Sequence, residues 1–189
     1  MTKSILLVGV GGQGTILASK LLTIGLMRQG HDVKMSEIHG MSQRGGAVSS
    51  QVRYGKAVYS PVIEIGGADI LISFEKMEAL RWLNYLKKDG QVIVNDYELN
   101  PMPVTMSKRE YARDILDEIK ALATTRVVAA ADEAAKLGDL KVMNIILLGT
   151  IIKSMGLSDI NWEEIIAENV KQSFVDLNIR ALKKGMEMV

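Results

Sequence analysis

Apolar and polar positions change their spacing along the first third of the chain, from a strand pattern to a helix pattern and back. Residues 4–8 form an apolar run too short for a helix and predict a buried strand. From Thr15 onward apolar side chains recur at helical spacing, at Leu17, Ala18, Leu21, Leu22 and Ile24. We expect this helix to end near Gln29, with Gly30 as a left-handed cap. Residues 33–36 predict a second strand, parallel to the first in a βαβ unit.

The rest of the chain continues this alternation of strands and helices. Residues 47–54 predict a half-exposed strand that turns at Gly55-Lys56 into a short hairpin ending at Tyr59. Buried strands are predicted at 68–74, 91–95 and 126–130. Helices are predicted at 77–86, 107–123, 132–137 and 141–155, and from Asn161 toward the C-terminus. The alternation indicates one three-layer α/β/α domain over residues 1–189, with a mostly parallel sheet and a C-terminal helical part at about 141–189.

A glycine-rich turn joins the first strand to the first helix. Its sequence, Gly9-Val10-Gly11-Gly12-Gln13-Gly14, has the spacing of a Rossmann-like ligand-binding turn. In such a turn the glycines permit a tight bend, close approach of a ligand and close helix–strand packing. The unpaired N–H groups of the helix start attract anions. The alternative is a turn that only packs the helix on the sheet. The candidate binding residues here are Gly9, Gly11, Gly12, Gln13 and Gly14.

A second unusual loop follows the second strand, from Glu37 to Gly46. We expect this strand to be adjacent to the one that feeds the glycine turn. Ligands of open α/β sheets bind outside the carboxyl ends of the strands, so both loops are expected to face one crevice. The Arg44 guanidinium suits a phosphate or carboxylate; alternatively it pairs with Glu37 while the glycines only bend the loop. The candidate binding residues of this loop are Ser42, Gln43, Arg44, Gly45 and Gly46.

Three further polar residues are secondary candidates for binding. Glu37 lies near the end of the second strand. In a dinucleotide-binding fold an acidic residue at this place binds the ribose hydroxyls. The alternative function is therefore that of a free-standing NAD(P)-binding protein. His39 has serine and acidic neighbours but no nucleophile-elbow pattern, which favours a polar loop contact over catalysis. Asn144 lies among apolar residues and is expected to hold a neighbouring loop, with a ligand contact as the alternative.

Composition narrows the classes of function. Hydrophobic residues make up 48% and charged residues 24% of the chain, and the net charge of +1 gives no reason to expect a nucleic-acid partner. The longest nearly apolar stretch, 142–152, is too short to span a membrane, and the first residues lead directly into a strand, so we expect a cytoplasmic location. Because this stretch has no polar face, its helix is expected to be buried centrally or covered by another subunit, and the isolated chain to self-associate.

The chain contains no cysteine and two histidines. It therefore has no disulfide, no thiol nucleophile and no thiolate ligands for zinc or an iron–sulfur cluster, and we expect no metal site on it. No catalytic residue is predicted on this chain.

Three segments together carry a family resemblance: residues 9–14, residues 37–46, and Asn144 before Leu148-Gly149. In this order they resemble the gamma-type component of 2-oxoacid:ferredoxin oxidoreductases, over essentially the whole chain. The sequence of residues 39–46 is most similar to that of one branch of the family, the beta subunit of indolepyruvate:ferredoxin oxidoreductases.

The resemblance implies a subunit that is inactive alone and docks on a large catalytic subunit. The complex would decarboxylate an aryl pyruvate oxidatively, transfer the acyl group to coenzyme A and reduce ferredoxin. Thiamine diphosphate and [4Fe–4S] clusters would belong to the partner, and this chain would hold no permanent cofactor. It would help to close the active site and bind coenzyme A, with residues 11–14 and 43–46 lining that face and Arg44 contacting a coenzyme A phosphate or an acidic partner residue.

Overall fold

A six-stranded mixed sheet forms the middle layer of the protein. The computed structural model describes residues 2–40, 45–99 and 111–189. The strand order is β2-β3-β1-β4-β5-β6, with β3 antiparallel to both neighbours and β1, β4, β5 and β6 parallel. The strands are β1 (Lys3–Val10), β2 (Asp32–His39), β3 (Ala47–Gly55), β4 (Ala68–Ser73), β5 (Leu86–Asn95) and β6 (Thr124–Val128).

Helices cover both faces of this sheet, which confirms the predicted three-layer α/β/α fold. The α-helices in the described residues are α1 (Thr15–Arg28), α2 (Lys76–Trp82), α3 (Ile115–Leu122), α4 (Ala130–Leu137), α5 (Met143–Ser154), α6 (Trp162–Asn169) and α7 (Val175–Glu187). On one face the core joins Leu7 and Ile72 to α1, α5 and α7. On the other face Leu6 and Leu71 pack with α2 and α3. The alternation of strand side chains between two covered faces explains the continuous apolar runs.

The position of β2 differs from the predicted one. It runs in the same direction as β1, as expected, but β3 lies between the two strands. The predicted adjacency of β1 and β2 is therefore wrong. A connection of seven residues, 40–46, joins β2 to β3, and a link this short suits antiparallel neighbours, whereas parallel strands need a longer crossover.

The predicted hairpin ending at Tyr59 is also wrong. β3 ends at Gly55, and the chain then crosses the sheet without forming a strand. Polar side chains of the sheet bind the backbone of this crossing, which satisfies groups that a strand ladder would otherwise pair. Asp32 Oδ2 accepts from Val58 N at 2.7 Å, Gln51 Oε1 accepts from Ile63 N at 2.6 Å, and the Arg53 guanidinium donates to two loop carbonyls at 3.0 Å.

Several element boundaries shift because of pairing between distant residues. The predicted helix 77–86 ends at Trp82, and Leu86 instead pairs with Ala68 in an extended β5. Lys87 also lies in this strand, and its Nζ is 2.9 Å from Asp69 Oδ1. The strand expected at 126–130 is β6, Thr124–Val128, because Ala130 already begins α4. The first four residues of the helix predicted at 107–123 lie outside the described residues, and the described helix α3 begins at Ile115.

The apolar helix α5 is buried within this chain. Every residue from Met143 to Ile152 is buried, and α7 packs directly against it. Glycines permit the close approach: a Cβ atom at Gly185 would overlap the carbonyl oxygen of Ile146, and one at Gly149 would overlap that of Leu182. Central burial is therefore confirmed, and the reason for expecting self-association disappears. No helix in the described residues has the length and apolar character needed to cross a membrane.

Replacing Gly185 by Ala tests this helix contact. In an exposed helix the change would stabilise the protein by about 0.5–1 kcal/mol, because glycine is a poor helix former. Here the added methyl meets backbone, so we expect the free energy of unfolding in urea to fall by about 1–3 kcal/mol. Lys183→Ala, on the exposed side of α7, is the control and should change stability by less than about 0.5 kcal/mol. Unchanged or increased stability of Gly185→Ala would contradict the close packing.

Candidate functional site

The glycine turn between β1 and α1 depends on three glycines for different reasons. Gly9 lies in β1, where a Cβ would stand 2.7 Å from Gln13 Oε1 and 2.9 Å from Phe74 Cβ. Gly12 and Gly14 have φ angles of +104° and +79°, which L-residues rarely adopt. At Gly14 a Cβ would also overlap the amide of Asn144. Two glycines of the G-x-G-x-x-G pattern, Gly9 and Gly14, thus meet a steric requirement of this turn, and so does Gly12, which lies between them.

Gln13 holds the turn in shape through its side-chain amide. Its Oε1 accepts from Val10 N at 2.7 Å, and its Nε2 donates to the Phe74 carbonyl at 3.2 Å. The amide thereby joins the carboxyl ends of β1 and β4. Its observed contacts are therefore with the backbone of the turn and of the neighbouring strand.

Two asparagine side chains also hydrogen-bond to backbone carbonyls at the glycine turn and at the end of β4. Asn144 Nδ2 donates to the Gly14 carbonyl at 3.2 Å, which confirms the expectation that this residue holds a neighbouring loop. Asn95, fully buried at the end of β5, donates to the Phe74 carbonyl at 3.3 Å and accepts from Ala130 N at 2.9 Å. Sequence reasoning did not single out Asn95. The sequence did contain a signal for it: Asn95 is a polar residue that ends an apolar strand, at the same edge of the sheet as the glycine turn.

The two glycine-rich loops meet at the same edge of the sheet. Gly11 N donates to the Gly46 carbonyl at 2.8 Å, and Gly45 N donates to the Gly11 carbonyl at 3.3 Å. This confirms the expected proximity of the loops, although the reason differs. Ala47 pairs with Val10, so antiparallel β3 begins where β1 ends. Ser42, Gln43 and Arg44 lie outside the described residues.

A cleft lies on each side of the glycine turn. We call the first, of about 450 Å³, the His39 cleft; it is lined by Gly11, Gly12, Gly14, Thr15, Ile16, His39 and Val48. We call the second, of about 470 Å³, the Lys141 cleft; it is lined by Gly11, Gly12, Gln13, Gly14, Tyr97, Leu99, Leu140, Lys141, Met143 and Asn144. Gly11, Gly12 and Gly14 line both clefts, so the backbone of the turn is accessible from each of them.

The polar residues near the His39 cleft do not form a catalytic arrangement among the described residues. His39 is exposed, and its Nδ1 lies 3.2 Å from its neighbour's carbonyl, that of Gly40. Glu37 Oε1 accepts from the Ser19 hydroxyl at 3.2 Å. Because β3 separates Glu37 from β1, this carboxylate is one strand further from the glycine turn than the ribose-binding acid of a dinucleotide fold. The strand order thus removes the geometric basis of the NAD(P) alternative.

Strongly perturbed titratable groups lie away from both clefts in the described residues. Burial, with the nearby Glu75 carboxylate, raises the pKa of Tyr111, whose hydroxyl binds that carboxylate. Burial also raises the pKa of Glu78, although Arg81 Nη1 lies 3.0 Å from it. Lys87 and Lys3 lower the pKa of Asp69 below its usual value, although its partial burial opposes them. These groups lie on α2, on β4 and just before α3, and the described lining residues of the clefts include no poised acid–base pair.

Comparison with known proteins assigns the chain to a family. The pyruvate ferredoxin/flavodoxin oxidoreductase family matches residues 4–188. The chain belongs to this family. It is 39% identical over 191 residues to indolepyruvate oxidoreductase subunit IorB of Archaeoglobus fulgidus, covering 98% of this chain and 94% of that protein. To the IorB subunit of Thermococcus kodakarensis it is 36% identical over 192 residues, covering 97% and 94%. It is thus homologous to subunits of 2-oxoacid:ferredoxin oxidoreductases.

Solved structures of other oxidoreductases share the fold of this family member. The pyruvate oxidoreductase subunit PORC from Thermotoga maritima has a TM-score of 0.76 at 21% identity, covering 99% of this chain and 96% of that chain. The 2-oxoglutarate:ferredoxin oxidoreductase from Magnetococcus marinus, solved with coenzyme A bound, has a TM-score of 0.77 at 16% identity. That match covers 99% of this chain but 31% of the other, so there the same fold is one part of a longer chain.

Changing Gly14 to Ala tests the geometry of the glycine turn. We expect the free energy of unfolding to fall by about 2–4 kcal/mol, because the methyl meets the Asn144 amide and the positive φ is strained. Gly12→Ala is the matched control: it has a similar φ but open space, so only strain of about 1 kcal/mol applies.

A double-mutant cycle with Asn144→Ala separates the clash from the strain in this prediction. Removing the Asn144 amide makes room for the methyl, so the two changes should be less costly together than the sum of their separate effects. Urea denaturation of the four proteins measures the coupling. Strict additivity would show that the Gly14–Asn144 contact is absent.

Proposed function

We propose that this chain is the small subunit of a 2-oxoacid:ferredoxin oxidoreductase that acts on an aryl pyruvate such as indolepyruvate. In the overall reaction the 2-oxoacid loses CO2, its acyl group forms a thioester with coenzyme A, and two electrons pass to two ferredoxins. The large partner subunit carries the thiamine diphosphate and the [4Fe–4S] clusters. The small subunit docks on it, helps to close the active site and binds coenzyme A.

The division of roles agrees with the residues of this chain. An iron–sulfur cluster requires thiolate ligands, and the chain has no cysteine. Electron transfer through such clusters is therefore assigned to the partner. The preference for an aryl pyruvate rests on the relatives named for indolepyruvate, at 36% and 39% identity over nearly the whole chain.

One observation carries the binding role: the glycine turn presents its backbone between two clefts at the start of α1. No described side chain caps this helix start, so the first N–H groups and the positive end of the helix dipole are available to an anion. Coenzyme A carries a diphosphate and a further phosphate, which suit such a site. The absence of a poised acid–base pair in the described parts of the clefts fits binding and orientation.

Reconstitution tests the subunit role. We expect the purified chain alone to show no indolepyruvate-dependent, coenzyme A-dependent reduction of ferredoxin, and the activity to appear when the large subunit is added. The complex should prefer indolepyruvate to pyruvate and 2-oxoglutarate by at least about tenfold in kcat/KM. Activity of this chain without the partner, or full activity of the partner without this chain, would contradict the proposal.

Calorimetric titration of the assembled complex tests coenzyme A binding. Heat should accompany the addition of coenzyme A, and NAD and NADP should produce no saturable signal at the same concentrations. Binding of a nicotinamide nucleotide without a response to coenzyme A would instead favour the alternative function.

A further inference from the structure

The helix layer on one face of the sheet is incomplete over β2 and β3. Among the described elements, the helix that packs on both of these strands is α1, and it lies on the face that carries Leu7. The opposite face carries Leu6, which packs with α2 and α3. On that face Gln51 of β3 lies beside Leu6 and binds Ile63 N, so residues 56–67 take the place of a helix.

Four large apolar side chains on this side of the molecule are exposed to solvent. They are Tyr59 (96% exposed), Val62 (57%) and Ile65 (70%) of the segment 56–67 and Ile38 (54%) of β2, and we call them the outer patch. Ile38 faces this side because it pairs with Ser49, two residues before Gln51 on β3. Single exposed apolar residues are ordinary on a protein surface, whereas a group of them on one side indicates a contact surface.

The backbone that carries the outer patch is held in one conformation. Polar side chains of β2 and β3 bind Val58 N, Ile63 N and the carbonyls of Ser60 and Val62, at distances of 2.6–3.0 Å. The side chains of Val58 and Ile63 are buried. Exposed side chains on a fixed backbone lose little conformational freedom when a partner covers them, so the patch is preorganised for binding.

The size and position of the outer patch indicate which partner covers it. The chain is homologous to subunits of oxidoreductase complexes, so part of its surface contacts another chain. A stable interface covers about 800 Å² of each partner, and four such side chains supply roughly half of that area, too little for two copies of this chain joined through the patch alone. The adjoining surface follows Ile38 directly: β2 ends at His39, and the loop after it returns at Gly46 to bind Gly11 of the glycine turn.

We propose that the outer patch is the docking surface for the large catalytic subunit, with Tyr59 and Ile65, its most exposed members, as the anchors. The inference rests on the proposed function, which makes this chain a docking subunit. The partner's complementary surface is apolar and accepts the Tyr59 ring in a pocket. From Ile38 the interface continues along the end of β2 to the glycine turn, where the proposed function brings coenzyme A to the acyl group held by the partner.

Titration of the large subunit with variants of this chain tests the docking surface. We expect Ile65→Asp to raise the Kd between the two subunits by at least about 30-fold, because the interface would bury a charge without a partner. Tyr59→Ala should raise it about 10- to 30-fold. Since both side chains are exposed, the urea midpoint of each variant alone should match that of the wild type. With the large subunit in saturating excess, ferredoxin reduction should return to the wild-type kcat, because the change affects assembly alone.

Leu122→Asp is the matched control, since Leu122 is a similarly exposed apolar side chain (66%) at the end of α3, outside the outer patch. Its Kd should stay within about twofold of the wild type. Equal Kd values for the wild type and Ile65→Asp, or equal losses in Ile65→Asp and Leu122→Asp, would overturn the docking surface while the proposed function stands. Light scattering that shows a wild-type dimer, dissociated by Ile65→Asp with no change in affinity for the large subunit, would assign the patch to a second copy and overturn the proposal. No binding of the wild-type chain to the large subunit would remove the proposed function and the inference with it.

Discussion

The arrangement at the glycine turn depends on one backbone group, the carbonyl of Phe74. It lies just beyond the end of β4, where no strand partner remains for it, and a buried carbonyl without a hydrogen bond is costly. Two side-chain amides satisfy it: Gln13 from the turn and Asn95 from β5. Because Asn95 also binds Ala130 N, the ends of β1, β4 and β5 and the start of α4 are connected through this carbonyl. The shape of the turn is therefore set by tertiary hydrogen bonds as well as by its glycines.

The antiparallel β3 gives this turn surroundings that a dinucleotide-binding fold lacks. In that fold the second strand lies beside the first, and an acid at its end reaches the ribose. Here the start of β3 occupies that place, and Gly45 and Gly46 bind the backbone of Gly11. The acidic Glu37 moves one strand away and binds Ser19. The glycine turn therefore has the sequence of a dinucleotide-binding turn but different neighbours, because β3 is inserted between β1 and β2.

Local patterns predicted the elements of the fold but not all of their partners. Helix ends at Gly30 and Gly138 and the cap at Asn161 follow from short-range chemistry, and the structure confirms them. The insertion of β3 and the extension of β5 through Leu86 depend on pairing between distant residues, which spacing along one segment does not encode. The glycine turn was visible as a motif, whereas the role of Asn95 required knowledge of which strand ends meet.

Under the proposed function, this chain would contribute to catalysis by binding coenzyme A. Binding energy from parts of a substrate remote from the reacting atoms can position those atoms, and good positioning lowers a barrier substantially. The phosphates of coenzyme A are remote from its thiol, so groups that bind them act on orientation. Gln13 and Asn144 already hold the turn in place. The turn would therefore lose little conformational freedom on binding a ligand, and less of the binding energy would be spent on ordering it. A rigid site on a separate subunit can therefore direct the thiol toward an acyl group held by its partner.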